Sequence, residues 1–177
     1  MKVWQQVSIA GIVAVVLGAA LAAGSHVTVF RVESASMAPA VPVGDVVVAG
    51  RTDGSTPARS DIVVFTDPGE WAGRVARLTG TDEVSPTFVK RVVGLPGERV
   101  VCCDAAGRVT VDGVPLAEPY LADPDALASV LAFDVTVPAD AVFVLGDNRA
   151  ASIDSRYLGT VPVPVIVGTL QFTLDIP

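Results

Sequence analysis

Phe88-Val89-Lys90-Arg91-Val92-Val93-Gly94-Leu95-Pro96-Gly97-Glu98-Arg99-Val100-Val101-Cys102 reads as two strands joined by a tight turn. Branched Val side chains pack well on a pleated surface, and Gly-Leu-Pro-Gly is turn chemistry. Neighbours in a strand point to opposite faces. One of Lys90 and Arg91 is therefore expected to face inward and lose water.

Outward from this stretch the pattern repeats. Further short strands are expected at Asp45–Ala49, Asp61–Phe65, Val109–Val111, Asp134–Val137, Val142–Leu145 and Val165–Thr173. Asp112-Gly113 between Val111 and Val114 is a hairpin signal. Thr66 to Thr87 and Pro119 to Ala132 read as loops, the second with a short helical turn at Ala126–Leu131. Trp71, in the first loop, is either a membrane-interface residue or a partly buried anchor. Parallel sheets need crossover helices, and the sequence offers no amphipathic stretch long enough. The expected fold is mainly β: coiled antiparallel sheets or a partly open barrel.

The chain has 177 residues and is 51% hydrophobic but only 6% aromatic, with 13 Pro and 16 Gly. Its net charge of −7 argues against nucleic acid, which demands a basic footprint, and against adhesion to anionic lipid through a polybasic patch. Cys102 and Cys103 are adjacent, and the chain has a single His. A zinc site needs spaced ligands, so no metal is expected; the pair reads as structural, as thiols or as a disulfide.

Val7 to Ala23 is an uncharged, largely apolar run at the lower edge of the ~20 residues that span a bilayer. Its tail, Ala20-Leu21-Ala22, also has the small-x-small look of a secretory cleavage site. Anchor and cleaved signal both stand at this point, and both place the rest of the chain outside the cytoplasm. The expected division is a membrane segment at 1–24 and an extracytoplasmic domain at 25–177.

The chemistry must work without a useful imidazole, because nothing around His26 suggests a site. The Lys and Arg total is 12, of which only Lys2 and Lys90 are lysine. Arginine carries the ordinary surface charge here, and it cannot act as a base, whereas a buried lysine can lose its proton. By itself Lys90 could equally be an exposed strand residue. Glu33-Ser34-Ala35-Ser36-Met37-Ala38-Pro39 by itself is a polar linker. Leu145-Gly146-Asp147-Asn148-Arg149-Ala150-Ala151-Ser152-Ile153-Asp154-Ser155-Arg156-Tyr157-Leu158-Gly159 by itself is a hydrogen-bonded loop after a strand.

Taken together and in this order, the three segments resemble the type I signal peptidases of bacteria. Ser36-Met37-x-Pro39 is similar to the nucleophile box and Lys90 to Glu98 to the box that bears the base. Gly146-Asp147-Asn148-Arg149-x-x-Ser152-x-Asp154-Ser155-Arg156 is similar to the final box. The resemblance implies a membrane-bound serine endopeptidase without metal or cofactor. Ser36 is its nucleophile, neutral Lys90 its general base and Ser34 its oxyanion-hole hydroxyl. Ser152 orients the lysine, and Asp154 with Arg156 forms a supporting ion pair. Asp147 and Arg149 read as loop scaffolding. The implied partners are exported preproteins with an Ala-x-Ala site, bound as an added strand, and the lipid bilayer. The implied location is the plasma membrane, single-pass, and the resemblance favours an uncleaved anchor, with self-cleavage near Ala22 as a weaker expectation. Ala40 stands where the nucleophile box usually has Thr. A related Ser–Lys peptidase, or an inactive relative that binds exported peptides, is the alternative.

Overall fold

The valine-rich runs become strands, and every strand pair is antiparallel. The computed structural model describes residues 27–175, so the expected anchor at 1–24 and the site near Ala22 lie outside the described residues. The strands are β1 Val27–Arg31, β2 Val46–Arg51, β3 Ile62–Thr66, β4 Thr87–Gly94, β5 Arg99–Cys102, β6 Val109–Val111, β7 Val114–Pro115, β8 Phe133–Thr136, β9 Ala141–Leu145, β10 Val161–Pro162 and β11 Ile166–Leu174. Two helices join them, α1 Trp71–Thr79 and α2 Ser155–Leu158.

The strands form a seven-stranded sheet, ordered β1-β2-β11-β3-β4-β9-β10, and a four-stranded sheet, ordered β7-β6-β5-β8. Neither closes into a barrel. The opening stretch divides between them: β4 lies in the large sheet, and the Leu95–Glu98 turn carries the chain into β5 of the small one. The Asp112-Gly113 hairpin forms as expected, with Val111 opposite Val114. Both turn residues have positive φ, +50° and +79°, as a two-residue type I′ turn requires.

The loop reading of Thr66–Thr87 is corrected by α1. Asp67 sits ahead of the helix and caps it: Oδ1 accepts from the Trp71 amide and Oδ2 from the Ala72 amide, at 2.9 and 3.0 Å. Gly80, left-handed at φ +70°, closes the other end by donating to the Ala76 carbonyl. The nine-residue helix turns Trp71, Ala72 and Val75 onto the large sheet. Trp71 is only 2% exposed and packs edge-on against Phe65 and Phe88, with ring centroids 5.4 and 5.6 Å apart. Burial leaves it unavailable as an interface residue. The expected helical turn at Ala126–Leu131 is irregular loop instead, with Ala128 and Ser129 buried beneath it.

Core residues fall into three groups, one under α1, one between the two sheets, and one beneath the turn that carries Ser36. β4 contributes to all three through Phe88, Val93 and Val89, which fixes the strand on both faces. Cys102 and Cys103 are joined to each other as a disulfide at the end of β5. Among the described residues no helix is long and apolar enough to cross a membrane.

Candidate active site

Strand alternation on β4 gives Lys90 and Arg91 opposite faces, yet both are buried, at 4% and 9% exposure. The expectation that only one would be is corrected, because β4 is covered on each side. On one face Lys90 reaches Ser36, with Nζ 2.7 Å from Oγ. On the other, Arg91 is gripped by Asp147: Nε donates to Oδ1 at 2.8 Å and Nη2 to Oδ2 at 2.5 Å. Its guanidinium carbon lies 4.0 Å from the centre of the Tyr120 ring.

Burial disfavours both cations, but the two shift in opposite directions. Desolvation pushes Lys90 from its ordinary 10.5 down to about 8; Asp154 opposes this, Arg156 adds to it, and Asp147 opposes it. Burial is also the largest single influence on Arg91 and disfavours its cation, but hydrogen bonds to Asp147 together with the charges of Asp147, Tyr120 and Glu118 outweigh it and hold Arg91 above its ordinary value. Charged forms need a partner in a low-dielectric site. Arg91 has a carboxylate in direct contact, and Lys90 has a hydroxyl.

Ser36 sits in a 3₁₀ turn, Ala35–Met37, and is 8% exposed. Met37 and Val41, at 1% and 0% exposure, pin that turn into the core, and the Val41 amide donates to the Met37 carbonyl at 2.9 Å. From outside, Asn148 grips the same turn. Its amide donates to the Ser36 carbonyl at 3.1 Å and its Nδ2 to the Ala35 carbonyl at 3.2 Å. Ser34 Oγ donates to Ser36 Oγ at 3.2 Å.

The Gly146–Arg156 loop is locked by buried charge. Asp154 accepts from Arg156 Nε and Nη2, both at 2.8 Å, and from the Gly146 amide at 3.0 Å. The two side chains are 0% and 2% exposed. Arg156 Nη2 also donates to the carbonyls of Ser152 and Arg149, at 3.0 and 2.9 Å. Ser152 is buried, and its hydroxyl has no hydrogen-bond partner among the described residues. Gly146 is needed for proximity: a Cβ there would lie 2.2 Å from Ser152 Oγ and 2.4 Å from the Ser36 carbonyl oxygen.

A cleft of about 640 Å³ opens beside Ser36 and Lys90, walled by Val32, Met37, Val41, Phe88 and Val89. Along β4, residues Thr87 to Lys90 pair with β3 on one edge. Pairing with β9 on the other edge begins only at Arg91, so the edge of Thr87–Lys90 stands open beside the cleft. On the opposite wall run Phe30 to Ser34.

A serine hydroxyl thus lies 2.7 Å from a buried amine, at an open strand edge of an antiparallel β-fold. A family model described as "Signal peptidase, peptidase S26" matches residues 4–174, and the chain belongs to that family of peptidases. It is 37% identical over 139 residues to a signal peptidase I of Leptolyngbya laminosa, covering 77% of this chain and 63% of that protein. The chain thus spans under two thirds of that relative. It is 32% identical over 179 residues to "Signal peptidase I V" of Bacillus subtilis, covering 92% and 94%. Among solved structures it matches a signal peptidase I of Enterococcus faecalis V583, with TM-score 0.50, 31% identity and coverage of 66% of this chain and 98% of that one.

Ser34, Ser36, Lys90, Ser152, Asp154 and Arg156 therefore converge, with Lys90 in contact with Ser36 but Ser152 hydrogen-bonded to neither. Asp147 and Arg149 are scaffolding, on Arg91 and Glu118 respectively. Sequence reasoning missed Tyr120 and Glu118, which complete a half-buried cluster with Arg91 and Arg149. Their only signal was two polar side chains in a loop. It also assigned no role to Asn148.

Proposed function

We propose that the chain is a membrane-anchored endopeptidase that removes signal peptides from exported preproteins, cutting after small residues in an Ala-x-Ala pattern. The observation that carries this is the 2.7 Å contact between Ser36 Oγ and the buried Lys90 Nζ. Neutral Lys90 accepts the Ser36 proton as Oγ attacks the scissile carbonyl. The oxyanion accepts hydrogen bonds from the Ser34 hydroxyl and the Ser36 amide. Protonated Lys90 returns the proton to the departing amine, leaving an acyl-enzyme on Ser36. Lys90, neutral again, takes a proton from water as the hydroxide adds to the acyl carbon, then gives that proton to Ser36 Oγ as it leaves and the acid is released.

Ser152, with its free buried hydroxyl, accepts from the lysine ammonium and orients it. The Asp154–Arg156 pair holds the backbone that places Ser152. The extended substrate joins the open edge of Thr87–Lys90 as a strand. Valine-lined walls suit alanine-sized side chains. The segment at 1–24 holds the enzyme to the plasma membrane, with the catalytic domain outside the cytoplasm.

The test is cleavage of a preprotein carrying an Ala-x-Ala site, in detergent. The unaltered enzyme should cut it, and Ser36→Ala, Lys90→Ala and Lys90→Arg should each lose at least about 10³-fold in kcat/KM. Arginine keeps the charge but supplies no neutral base, so appreciable cutting by Lys90→Arg would overturn the assignment.

A further inference from the structure

Pocket-forming surface does not end at the catalytic cleft. A second groove of about 520 Å³ lies on the other side of the nucleophile turn. Ser36 and Met37 line the first cleft and Ala38 and Pro39 the second; Ala151 and Ile153 face the first and Ala150 the second. The turn that carries Ser36 and the Gly146–Arg156 loop thus form a ridge between two separate grooves. The outer wall of the second is the Leu121–Val130 segment between β7 and β8. Leu127 and Val130 stand there 56% and 83% exposed, while Ala128 and Ser129 beside them are buried.

That wall is braced to the Gly146–Arg156 loop by half-buried polar contacts. Arg149 Nη1 donates to Glu118 Oε2 at 3.0 Å, and the Tyr120 hydroxyl donates to Glu118 Oε1 at 2.8 Å. Arg91 stacks on Tyr120, and Arg156 Nη1 donates to the Ala128 carbonyl at 3.3 Å. Ala128 also donates its amide to the Gly107 carbonyl at 3.0 Å, which seats the wall on the small sheet. A groove tied this way to Arg91, Arg149 and Arg156 is preformed and keeps a fixed relation to Ser36.

We propose that this second groove receives the stretch of preprotein just after the scissile bond, the first residues of the released mature chain, and that Leu127 and Val130 are the side chains it meets. The inference rests on the peptidase reading above and extends it. A chain with its scissile carbonyl at Ser36 Oγ must continue past the ridge in both directions. The cleft with the open strand edge holds the part that stays as the acyl group. The groove across the ridge is the path left for the departing part. Its apolar lip accepts small apolar or neutral residues, and the specificity of the enzyme then reads both sides of the cut.

The test is a charge exchange scored as a ratio. Val130→Asp places a carboxylate on the exposed lip, and kcat/KM is measured for precursors bearing Lys or Asp at each of the first four positions after the cut. The Lys/Asp ratio should rise by roughly fivefold over that of the unaltered enzyme at one or two of these positions, and the rise should shrink in about 1 M salt. General damage to the fold lowers both members of the ratio alike and leaves it unchanged. The same exchange placed before the cut should not move the ratio. A ratio unmoved at all four positions overturns the proposal, as does one that responds only to charges before the cut. If the unaltered enzyme cuts no Ala-x-Ala precursor, the peptidase reading fails and takes this one with it, an outcome distinct from the other two.

Discussion

Replacing Gly146 by alanine should disable the enzyme while touching none of its reactive groups. The added Cβ would lie 2.2 Å from Ser152 Oγ, 2.5 Å from Ser152 Cβ and 2.4 Å from the Ser36 carbonyl oxygen. Non-bonded heavy atoms rest about 3.5 Å apart, so one of these groups must retreat by roughly 1 Å. Ser152 cannot swing away freely, because its carbonyl is held by Arg156. The Ser36 carbonyl is held by Asn148. Overpacking of this kind costs about 1–3 kcal/mol, which lowers Tm by several degrees in a chain of this size. A displacement of about 1 Å in a catalytic group costs on the order of 10²-fold in rate. The assay is kcat/KM on an Ala-x-Ala precursor beside thermal unfolding, with Gly73→Ala as the control. A Cβ on Gly73, in α1, meets only Arg77 Nη1 at 3.7 Å, and alanine favours helix by about 0.5–1 kcal/mol. Undiminished kcat/KM in Gly146→Ala would refute the idea that the glycine exists to bring the loop against the turn that carries Ser36.

Other expectations follow from the same buried charges. Lys90→Met should abolish cleavage yet stabilise the fold at neutral pH. Because the folded chain releases the Lys90 proton near 8 and the unfolded chain near 10.5, the unfolded state holds more protons between those values, and the stability of the native protein rises with pH there. The penalty, on the order of 3 kcal/mol in full, is present below pH 8, so the advantage of methionine, followed by denaturant unfolding, should fade towards pH 10.5. Asp154→Asn leaves the Arg156 cation buried without its carboxylate and should cost about 3–5 kcal/mol by the same method. It also removes a charge that holds Lys90 up, so the alkaline-rising limb of the rate profile should move to lower pH. Trp71→Ala empties the site between Phe65 and Phe88 and should cost about 3–5 kcal/mol.

Much of this arrangement was legible because strands and turns write themselves locally. Arg99–Cys102 and Val109–Val111 coincide with their strands to the residue, and Asp112-Gly113 forms the turn it announces. α1 was not legible, because its start depends on a side chain, Asp67, placed four residues before Trp71, and its one apolar stripe is short. Val27–Arg31 was passed over because it follows so closely on the apolar segment at Val7–Ala23. The burial of Arg91 was hidden for a different reason. A strand pattern shows that two faces exist, but whether both are covered depends on Tyr120 and Asp147, distant in sequence. For the site, the motifs supplied the residues and their proposed roles. The pattern did not disclose that Lys90 contacts Ser36 while the Ser152 hydroxyl remains free.

Ser36 can be activated by Lys90 only if the lysine is neutral near the pH at which the enzyme works. With two lysines in the chain, protein labelled with ¹⁵N at lysine Nζ offers only two side-chain signals, and Lys90→Ala assigns them by removing one. The Lys90 signal should titrate at about 8. Titration of that signal near the 10.4 of free lysine would mean an ammonium beside Ser36 at neutral pH and no base for the reaction.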